Sequence, residues 1–379
     1  MGIERRTALD TPTQAALGAA IGQAFFGRRL GGKAVFWGAV AGAIPDLDIL
    51  AAAWMGPWGE VLYHRGPTHA LWFGPVAGTA LGYGAWIIQT RFGKNKAEES
   101  PPQPDIPKGV TPGSSVQTGS GLLRSWIWLF VLVLFTHPLL DLFTSYGTQL
   151  LWPLTRHRFA IHAVSIVDPL YTGVLVLALV FGLWKGARSS AACRAALVAL
   201  VLSTTYLFYG AWLNGRAEAE VRRQIAQEGL QEARVRCYPT FLQVFLRRAV
   251  VWTPDEVRVG LISMCRPSFV AWDHFPVSRG PLIDAVRSSE AGRIFEWFAL
   301  GDTLAQTRVR QGGVVVEITD LRYGFPGRAA SGFWGIRAFF DQNGQRIGNV
   351  ERFRRSLPET RVALALLWRA TFGQGASDG

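Results

Sequence analysis

Seven ionisable side chains, four aspartates and three histidines, lie in or beside apolar segments of this 379-residue chain. They are Asp46, Asp48, His64, His69, His137, Asp141 and Asp168. Ionisable groups are costly at the edge of a hydrocarbon layer, and four carboxylates brought together there would repel one another. Bound divalent cations would neutralise them, and imidazole is a ligand that transition metals favour. The residue types therefore predict a metal centre.

The spacing of these residues favours convergence on one site. His137 and Asp141 are four residues apart and share one face of a helix. Asp46 and Asp48 follow Pro45 in a turn-like setting in which both carboxylates could converge. Two metals accommodate seven candidate ligands more easily than one. The mixed oxygen and nitrogen donors suit zinc first, with manganese or iron as alternatives.

A guanidinium beside these ligands predicts the chemistry. Arg65 lies within His-Arg-Gly-Pro-Thr-His, and arginine beside a metal cluster can clamp a phosphate or carboxylate. With two metals this favours hydrolysis of a phosphoester by metal-activated water. Asp48 and Asp168 are also candidates for the general base. Gln14, at the start of the first apolar segment, is a candidate for a hydrogen bond that supports a ligand.

Ordinary structural roles compete with these predictions. A single histidine in a membrane helix usually packs through hydrogen bonds, and an aspartate near a helix end usually caps it. Asp168 precedes Pro169 and suits a cap. We expect His157 and His162 to lie in a solvated or headgroup-binding loop, and His274 to lie outside the site. The number of candidate ligands still favours a metal centre.

The elements that must position these residues are apolar helices. Only 26 charged residues occur in residues 1–215, against 40 in residues 216–379. The apolar segments are Thr11–Gly27, Ala34–Trp54, Gly66–Thr90, Ser125–Leu140, Pro169–Trp184 and Ala195–Gly215. Their lengths predict a mainly α, integral membrane domain of about six transmembrane or re-entrant helices. If the segments alternate in direction, all seven candidate ligands fall on one membrane face.

The distribution of Lys and Arg residues predicts which membrane face carries the candidate ligands. Eleven Lys and Arg residues lie in the connections on one side of the predicted helices, against five on the other. The more basic side is expected in the cytoplasm, so the site and the C-terminal domain would be non-cytoplasmic. The net charge of +12 accompanies no basic, aromatic-interleaved run, so no nucleic acid is expected as a partner.

Two further regions are predicted from composition. Residues 93–121 are rich in Pro, Gly, Ser and Lys, which predicts a flexible loop. Residues 216–379 predict a soluble α+β domain with an antiparallel sheet. Its expected helices are Arg216–Arg236, Leu282–Leu300 and Glu359–Phe372, and its expected strands are Val244–Trp252, Val257–Met264, Thr307–Arg310, Val314–Thr319 and Ile336–Phe340.

Four sequence blocks resemble the YdjM-type (YbcI-like) membrane-bound metal-dependent hydrolases. They are Leu-Asp-Thr-Pro-Thr-Gln-Ala-Ala-Leu-Gly, Pro-Asp-Leu-Asp, His-Arg-Gly-Pro-Thr-His, and His-Pro-Leu-Leu-Asp-Leu-Phe-Thr-Ser-Tyr-Gly, followed by Leu-Leu-Trp-Pro. The resemblance covers residues 10–185, and residues 320–324 look like part of a domain appended in some members.

The resemblance implies a multi-pass protein of the bacterial inner membrane and a metal-dependent hydrolase. The implied site is similar to those of zinc-dependent phospholipase C and related single-strand nucleases. It carries over the seven candidate ligands named above. Many members have a histidine near the chain start where this sequence has Gln14.

Three functions remain open from sequence. The first is a phosphoesterase acting on a membrane lipid or lipid-linked substrate, which would reach a site at the bilayer surface by lateral diffusion. The second is a non-catalytic membrane protein with a structural metal site and an outer domain that binds a partner. The third is a metal transporter, which predicts ionisable residues at mid-membrane depth or on both faces. Clustering on one face argues against the third.

Overall fold

The computed structural model describes residues 11–52, 54–97, 119–266, 269–324, 332–355 and 360–373. The chain divides into two compact units, each made of segments that are separate in sequence. The first unit comprises Met1–Leu47, Pro67–Leu139 and Thr172–Ser203, and the second comprises Asp48–Gly66, Leu140–Tyr171 and Thr204–Gly379.

The helices are numbered in chain order. They are α1 (Thr11–Ile21), α2 (Gly32–Ala43), α3 (Asp48–Ala52), α4 (Gly59–Tyr63), α5 (Phe73–Ala97), α6 (Gly119–Leu142), α7 (Pro169–Lys185), α8 (Ser190–Gln227), α9 (Pro281–Ser288), α10 (Glu290–Phe298) and α11 (Thr360–Phe372). After α1 the chain continues through a π-helical turn, Gly22–Phe26, and a helical turn, Gly27–Leu30. Short 3-10 turns occupy Pro45–Leu47 and Pro67–His69.

The expected six spans are not confirmed. Within the described residues, three helical stretches are long and apolar enough to cross a membrane: Gly32–Ala52, Ser120–Leu142 and Ser190–Gln227. A fourth is added if Gly59–His69 and Phe73–Arg91, bent by 72° at their junction, count as one broken span. Pro169–Lys185 is apolar but shorter.

Glycines allow the helices of the first unit to pack backbone against backbone. A Cβ on Gly42 of α2 would lie 2.3 Å from the carbonyl oxygen of Gln14 in α1, and one on Gly38 would lie 2.3 Å from that of Gly18. A Cβ on Gly78 of α5 would lie 2.7 Å from the Cα of Val131 in α6. Small residues permit this approach between membrane helices, so side chains on adjacent helices can meet.

The second unit contains two antiparallel sheets. Their strands are β1 (Arg234–Pro239), β2 (Leu246–Trp252), β3 (Glu256–Ser263) and β4 (Trp272–Pro276), then β5 (Thr303–Arg310), β6 (Gly313–Asp320), β7 (Trp334–Phe340) and β8 (Arg346–Arg354). The strand orders are β1-β2-β3-β4 and β5-β6-β7-β8. The predicted antiparallel pairing is therefore confirmed.

Apolar clusters form the core of this unit. The C-terminal part of α8 packs Ala217, Val221 and Ile225 on the first sheet. Helices α9 and α10 cover the second sheet. Tyr238 and Val250 of the first sheet join Leu304 and Leu321 in a third cluster. Branched and aliphatic residues are frequent in the inner strands β2, β3 and β6, which explains why the sequence predicts those strands.

Several predicted boundaries are wrong. The helix expected at Arg216–Arg236 ends at Gln227, and residues from Arg234 form β1. The helix expected at Leu282–Leu300 is divided at Ser289, whose side chain accepts a hydrogen bond from the Gly292 amide and so begins α10. Strands β1, β4 and β8 were not predicted, since β1 and β8 carry many arginines and β4 is short.

The loop expected at residues 93–121 is also corrected at both ends. Helix α5 extends through Ala97 and α6 begins at Gly119. Lys and Ala favour helix, which suits an extension of α5 into a polar sequence. Residues 98–118 of the predicted loop lie outside the described residues, as does Glu359 of the last predicted helix.

Candidate metal centre

Three of the predicted ligands meet inside the first unit. Asp46, His69 and His137 each offer one ligand atom, and these atoms lie within 4.8 Å of one another. The residues are buried, with exposed fractions of 8%, 0% and 1%. Among the described residues, this is the one group of three or more potential ligand side chains that is close enough to share an ion.

Each ligand lies at a break in a helix. Asp46 is in the 3-10 turn that follows α2, immediately after Pro45. His69 ends the 3-10 turn Pro67–His69. His137 precedes Pro138 inside α6, where the missing amide removes one backbone hydrogen bond of the helix. Such interruptions turn side chains inward at positions where a regular helix would bury only apolar groups.

The separations between ligand atoms suit a small divalent cation. The two Nε2 atoms of His69 and His137 are 3.0 Å apart. Asp46 Oδ1 lies 3.6 Å from His69 Nε2 and 3.4 Å from His137 Nε2. In a tetrahedral zinc site with ligand bonds of about 2.0–2.1 Å, ligand atoms lie about 3.4 Å apart. The three atoms therefore form one face of such a site.

Hydrogen bonds orient both imidazoles. His137 Nδ1 lies 2.8 Å from the Gly42 carbonyl oxygen, which can only accept, so Nδ1 carries the proton and Nε2 the lone pair in a neutral ring. His69 Nδ1 lies 3.0 Å from the Thr68 hydroxyl. When that hydroxyl accepts, His69 Nε2 also presents a lone pair. Histidines that bind metals commonly have this arrangement of a ligating nitrogen opposite an anchored one.

Two side chains from α1 support the same group. Gln14 Nε2 donates to the backbone carbonyl of His137 at 3.2 Å. The Thr11 hydroxyl donates to Asp46 Oδ2 at 3.0 Å, which leaves Oδ1 directed at the histidines. The predicted supporting position of Gln14 thus corresponds to a bond with the backbone of a ligand. The contribution of Thr11 was not predicted.

The other predicted ligands belong to the second unit, where Asp48 contacts His64 and both Asp48 and Asp141 contact Arg65. Asp48 begins α3 and its Oδ1 lies 2.7 Å from His64 Nδ1. Its Oδ2 accepts from the Arg65 backbone amide at 3.1 Å. Both carboxylate oxygens of Asp48 therefore stabilise the turn that follows α4.

Arg65 is held by further contacts within this unit. Its guanidinium lies 3.2 Å from Asp141 Oδ1 and donates to the Thr144 hydroxyl at 2.8 Å. Its Cζ is 4.8 Å from the centre of the Tyr146 ring. Arg65 has a φ of +57°, a left-handed conformation that is uncommon for a residue with a side chain. These bonds hold the backbone there.

Tyr146 links this group to a second arginine. The Arg158 guanidinium lies 5.1 Å from the ring centre and donates to the Gly147 carbonyl at 2.7 Å. Burial raises the pKa of Tyr146 to about 12, so its phenol stays protonated at neutral pH. Burial lowers the pKa of Arg158 to about 10, which leaves that side chain charged.

Asp168 makes the contacts of a helix cap. Its Oδ1 accepts from the amides of Leu170 and Tyr171 at 3.1 and 3.2 Å, at the start of α7. Its Oδ2 accepts from the Tyr206 hydroxyl at 3.0 Å. These contacts suit the structural alternative for Asp168, and its role as ligand or general base stays a prediction.

Some residues that contact the candidate ligands or Arg65 lie in sequence motifs, although composition alone does not single them out. Thr11, Thr68, Thr144 and Tyr146 all lie inside the blocks that resemble the YdjM-type family, although only the ionisable residues were singled out. The carbonyl of Gly42 is a backbone group, so no side-chain pattern indicates it. His162, expected in a solvated or headgroup-binding loop, is instead buried.

Comparison with known proteins assigns the family. The family model described as YdjM inner membrane protein matches residues 9–216, which is more than half of the chain. No curated protein and no solved structure matches the chain. The matched region includes the candidate-site residues described in this subsection, from Thr11 to Tyr206. The chain therefore belongs to the YdjM family of inner membrane proteins.

Proposed function

We propose that this protein is a membrane-embedded, metal-dependent hydrolase that cleaves a phosphoester in a lipid or lipid-linked substrate. The observation that supports this most directly is the buried group of Asp46, His69 and His137, with ligand atoms within 4.8 Å of one another. A bound divalent cation would lower the pKa of a water molecule and stabilise negative charge on phosphoryl oxygens.

The protein's own residues would hold and orient this group. The Gly42 carbonyl fixes the ring of His137, and Thr11 fixes Asp46. Because both histidines are buried, the site is kept from bulk water, and electrostatic interactions are stronger there. We expect zinc to bind, with manganese or iron as alternatives.

A second metal would need the remaining predicted ligands. These are Asp48 and His64, whose side chains contact each other, Asp141, which pairs with Arg65, and Asp168, which accepts from Tyr206. Arg65 is proposed as the clamp for the phosphoryl group, and Asp48 or Asp168 as the general base. The number of metals per chain separates one-metal from two-metal versions of the proposal.

The membrane setting supports a lipid substrate. A soluble substrate would not require several apolar helices around the site, whereas a lipid reaches a bilayer-surface site by diffusion in the plane. The charge bias of the loops supports a non-cytoplasmic site and C-terminal domain. We further propose a membrane domain over residues 1–215 and a soluble domain over residues 216–379.

Metal content is the decisive measurement. We compare wild-type protein, His137→Asn and His274→Asn after purification in detergent, using elemental analysis. Asparagine at 137 keeps an amide donor for the Gly42 carbonyl while removing the Nε2 ligand. His274 has a side chain that is 51% exposed, so its replacement is a matched control. We expect one or two transition-metal ions per chain in the wild type and in the control. We expect His137→Asn to retain at least tenfold less metal per chain.

Activity is then measured in vesicles with a panel of phospholipids and lipid phosphates. We expect wild-type protein and His274→Asn to release product, and His137→Asn to lose at least about a hundredfold in rate. A wild-type chain without metal would overturn the proposal. Metal that stabilises the fold without turnover of any substrate would instead favour the non-catalytic alternative, in which the outer domain binds a partner.

A further inference from the structure

Helix α11 covers the first sheet with one side. Leu367 and Thr371 are buried, with exposed fractions of 6% and 1%. Leu367 packs with Leu246 of β2, and Leu261 of β3 lies against the same cluster.

The face of α11 beside this one is apolar as well, and it is exposed. Leu364, Trp368 and Phe372 recur every four residues, and their exposed fractions are 47%, 68% and 42%. The rings of Trp368 and Phe372 are in contact, with centroids 4.6 Å apart. A helix that faces water normally carries polar residues on that side, so this stripe indicates a partner.

The length of α11 limits what that partner can be. The helix has 13 residues, whereas a transmembrane helix needs about 20. A short helix with one apolar side can lie in the plane of a membrane surface, with its apolar side among the headgroups and upper acyl chains.

Contacts within the second unit locate the end of α11 near a membrane helix. Gln243 donates to the Thr371 hydroxyl at 2.6 Å, and the Ser263 hydroxyl donates to the Thr371 carbonyl at 2.7 Å. Two residues after Gln243, the ring of Phe245 lies 6.4 Å from that of Tyr209 in α8. The C-terminal end of α11 therefore contacts the segment before β2, and Phe245 of that segment lies against Tyr209.

Tyr209 lies where α8 changes from apolar to charged. Its ring stacks on Trp212 at 5.6 Å, and the guanidinium of Arg216 lies 5.4 Å from the Trp212 ring. The apolar sequence of α8 ends at Gly215. Tyr and Trp concentrate at the membrane–water interface, so this part of α8 is expected at headgroup level.

Charge on α11 suits an anionic lipid surface. Arg361 and Arg369 are exposed, and the helix sequence contains no acidic residue. Basic residues close to a bilayer are attracted by anionic headgroups. Apolar anchors and arginines on one exposed surface are typical of interfacial helices.

We propose that the exposed surface of α11, formed by Leu364, Ala365, Trp368 and Phe372 with Arg361 and Arg369, docks on the anionic lipid surface of the membrane that α8 spans. This docking is independent of the proposed hydrolysis. It would hold the second unit against the bilayer through a contact additional to α8 itself.

The test uses spin labels on the full-length chain. Cys265 is exposed and is replaced by serine, while Cys193 and Cys237 are buried. One variant carries Ala365→Cys on α11 and the matched control carries Ala285→Cys on α9, because both alanines are exposed on helices of the same unit. Each is reconstituted in vesicles of phosphatidylethanolamine and phosphatidylglycerol, and collisions with oxygen and with a water-soluble nickel chelate are measured.

We expect the label at 365 to collide several-fold less with nickel, and more with oxygen, than the label at 285. Replacing Arg361 and Arg369 by glutamine should shift the label at 365 toward water in these vesicles. Equal exposure of both labels to nickel would overturn the proposal.

Two further outcomes would also contradict it. Spin–spin broadening at 365 that disappears on dilution with lipid would show that a second copy covers the helix. Protection of 365 that is unchanged in vesicles of phosphatidylcholine alone, and unchanged by the arginine substitutions, would remove the role of anionic lipid.

Discussion

His162 is a histidine that the fold keeps neutral. It has a φ of +57° and its ring packs edge-on against Tyr238 at 5.0 Å. Burial, together with the positive charges of Arg322, Arg236 and Arg247, lowers its pKa to about 3. A proton on this ring would be buried among cations, so acid should destabilise the second unit.

The direction of the pH effect follows from linkage. In the unfolded chain the pKa of histidine is about 6.5, above the folded value. Above about pH 6.5, His162 costs the folded chain no stability. As the pH falls from there toward 3, the free energy of unfolding decreases by at most about 1.4 kcal/mol per pH unit because of this residue. We predict that His162→Asn flattens this dependence, since asparagine tolerates a positive φ.

Thermal unfolding of the purified chain at pH 7 and at pH 5 measures the effect. The control is His157→Asn, because His157 is exposed in the same loop. The wild type and the control should lose stability in parallel on acidification, and His162→Asn should lose less. Three parallel losses would show that other groups determine the acid sensitivity.

The close packing of α1 and α2 leads to a prediction at the scale of elements. Gly42→Ala would add a Cβ 2.3 Å from the Gln14 carbonyl oxygen, and would force the helices apart. Because the Gly42 carbonyl anchors His137, the displacement should reach the metal ligands. We predict a loss of about 1–3 kcal/mol of stability and a clear drop in bound metal.

Gly32→Ala is the matched control, because a Cβ at Gly32 would meet no atom within 4 Å. Its metal content by elemental analysis and its melting temperature should equal those of the wild type. If Gly42→Ala binds metal normally, the helix contact does not position the site.

The second sheet depends on a buried ion pair. Arg322 and Asp320 are fully buried and their closest atoms are 2.7 Å apart. Arg322 also donates to the carbonyls of Ser145 and Tyr146, which connects the end of β6 with the loop after α6. The sheet therefore supports the backbone beside Thr144 and Tyr146.

Removing one member of this pair should be costly. We predict that Arg322→Met lowers the free energy of unfolding by about 3–5 kcal/mol, since it leaves the carboxylate buried without its cation. Chemical denaturation followed by tryptophan fluorescence measures the loss. The control, Arg337→Met, removes an exposed pair with Glu351 and should cost less than about 1 kcal/mol. Similar losses in both variants would contradict the prediction.

The proposed orientation of the whole molecule in the membrane can be tested on its natural cysteines. Cys265 is exposed in the second unit, and the other two cysteines are buried. We predict that a membrane-impermeant maleimide labels Cys265 in intact cells and not in inverted membrane vesicles. Cys265→Ser controls for labelling elsewhere. The reverse pattern would place the C-terminal domain in the cytoplasm.

Sequence predicted part of this fold for identifiable physical reasons. The apolar segments and the branched runs of β2, β3 and β6 follow directly from burial. Arginine-rich β8 depends on its pairing with β7, and the break at Ser289 depends on a local cap that the apolar pattern does not show. The predicted six spans are not confirmed, because apolar helices such as α7 satisfy the composition of a span but are shorter than one among the described residues.

The candidate site was also predicted only in part. Asp46, His69 and His137 stood out because charge in apolar sequence is costly. Their supports did not stand out, because a backbone carbonyl such as that of Gly42 and hydroxyls such as that of Thr11 look ordinary in sequence. The glycine contacts that bring α1 and α2 together become visible only in three dimensions.

Because Arg65 has a left-handed backbone, two substitutions can separate the effect of the guanidinium's shape from the effect of its charge. Glycine adopts a φ of +57° without penalty, so Arg65→Gly relieves the turn while it deletes the guanidinium. Arg65→Lys does the opposite, because it retains a cation in the strained conformation. A defect shared by both substitutions must therefore come from the planar, forked shape of arginine, which neither glycine nor lysine reproduces.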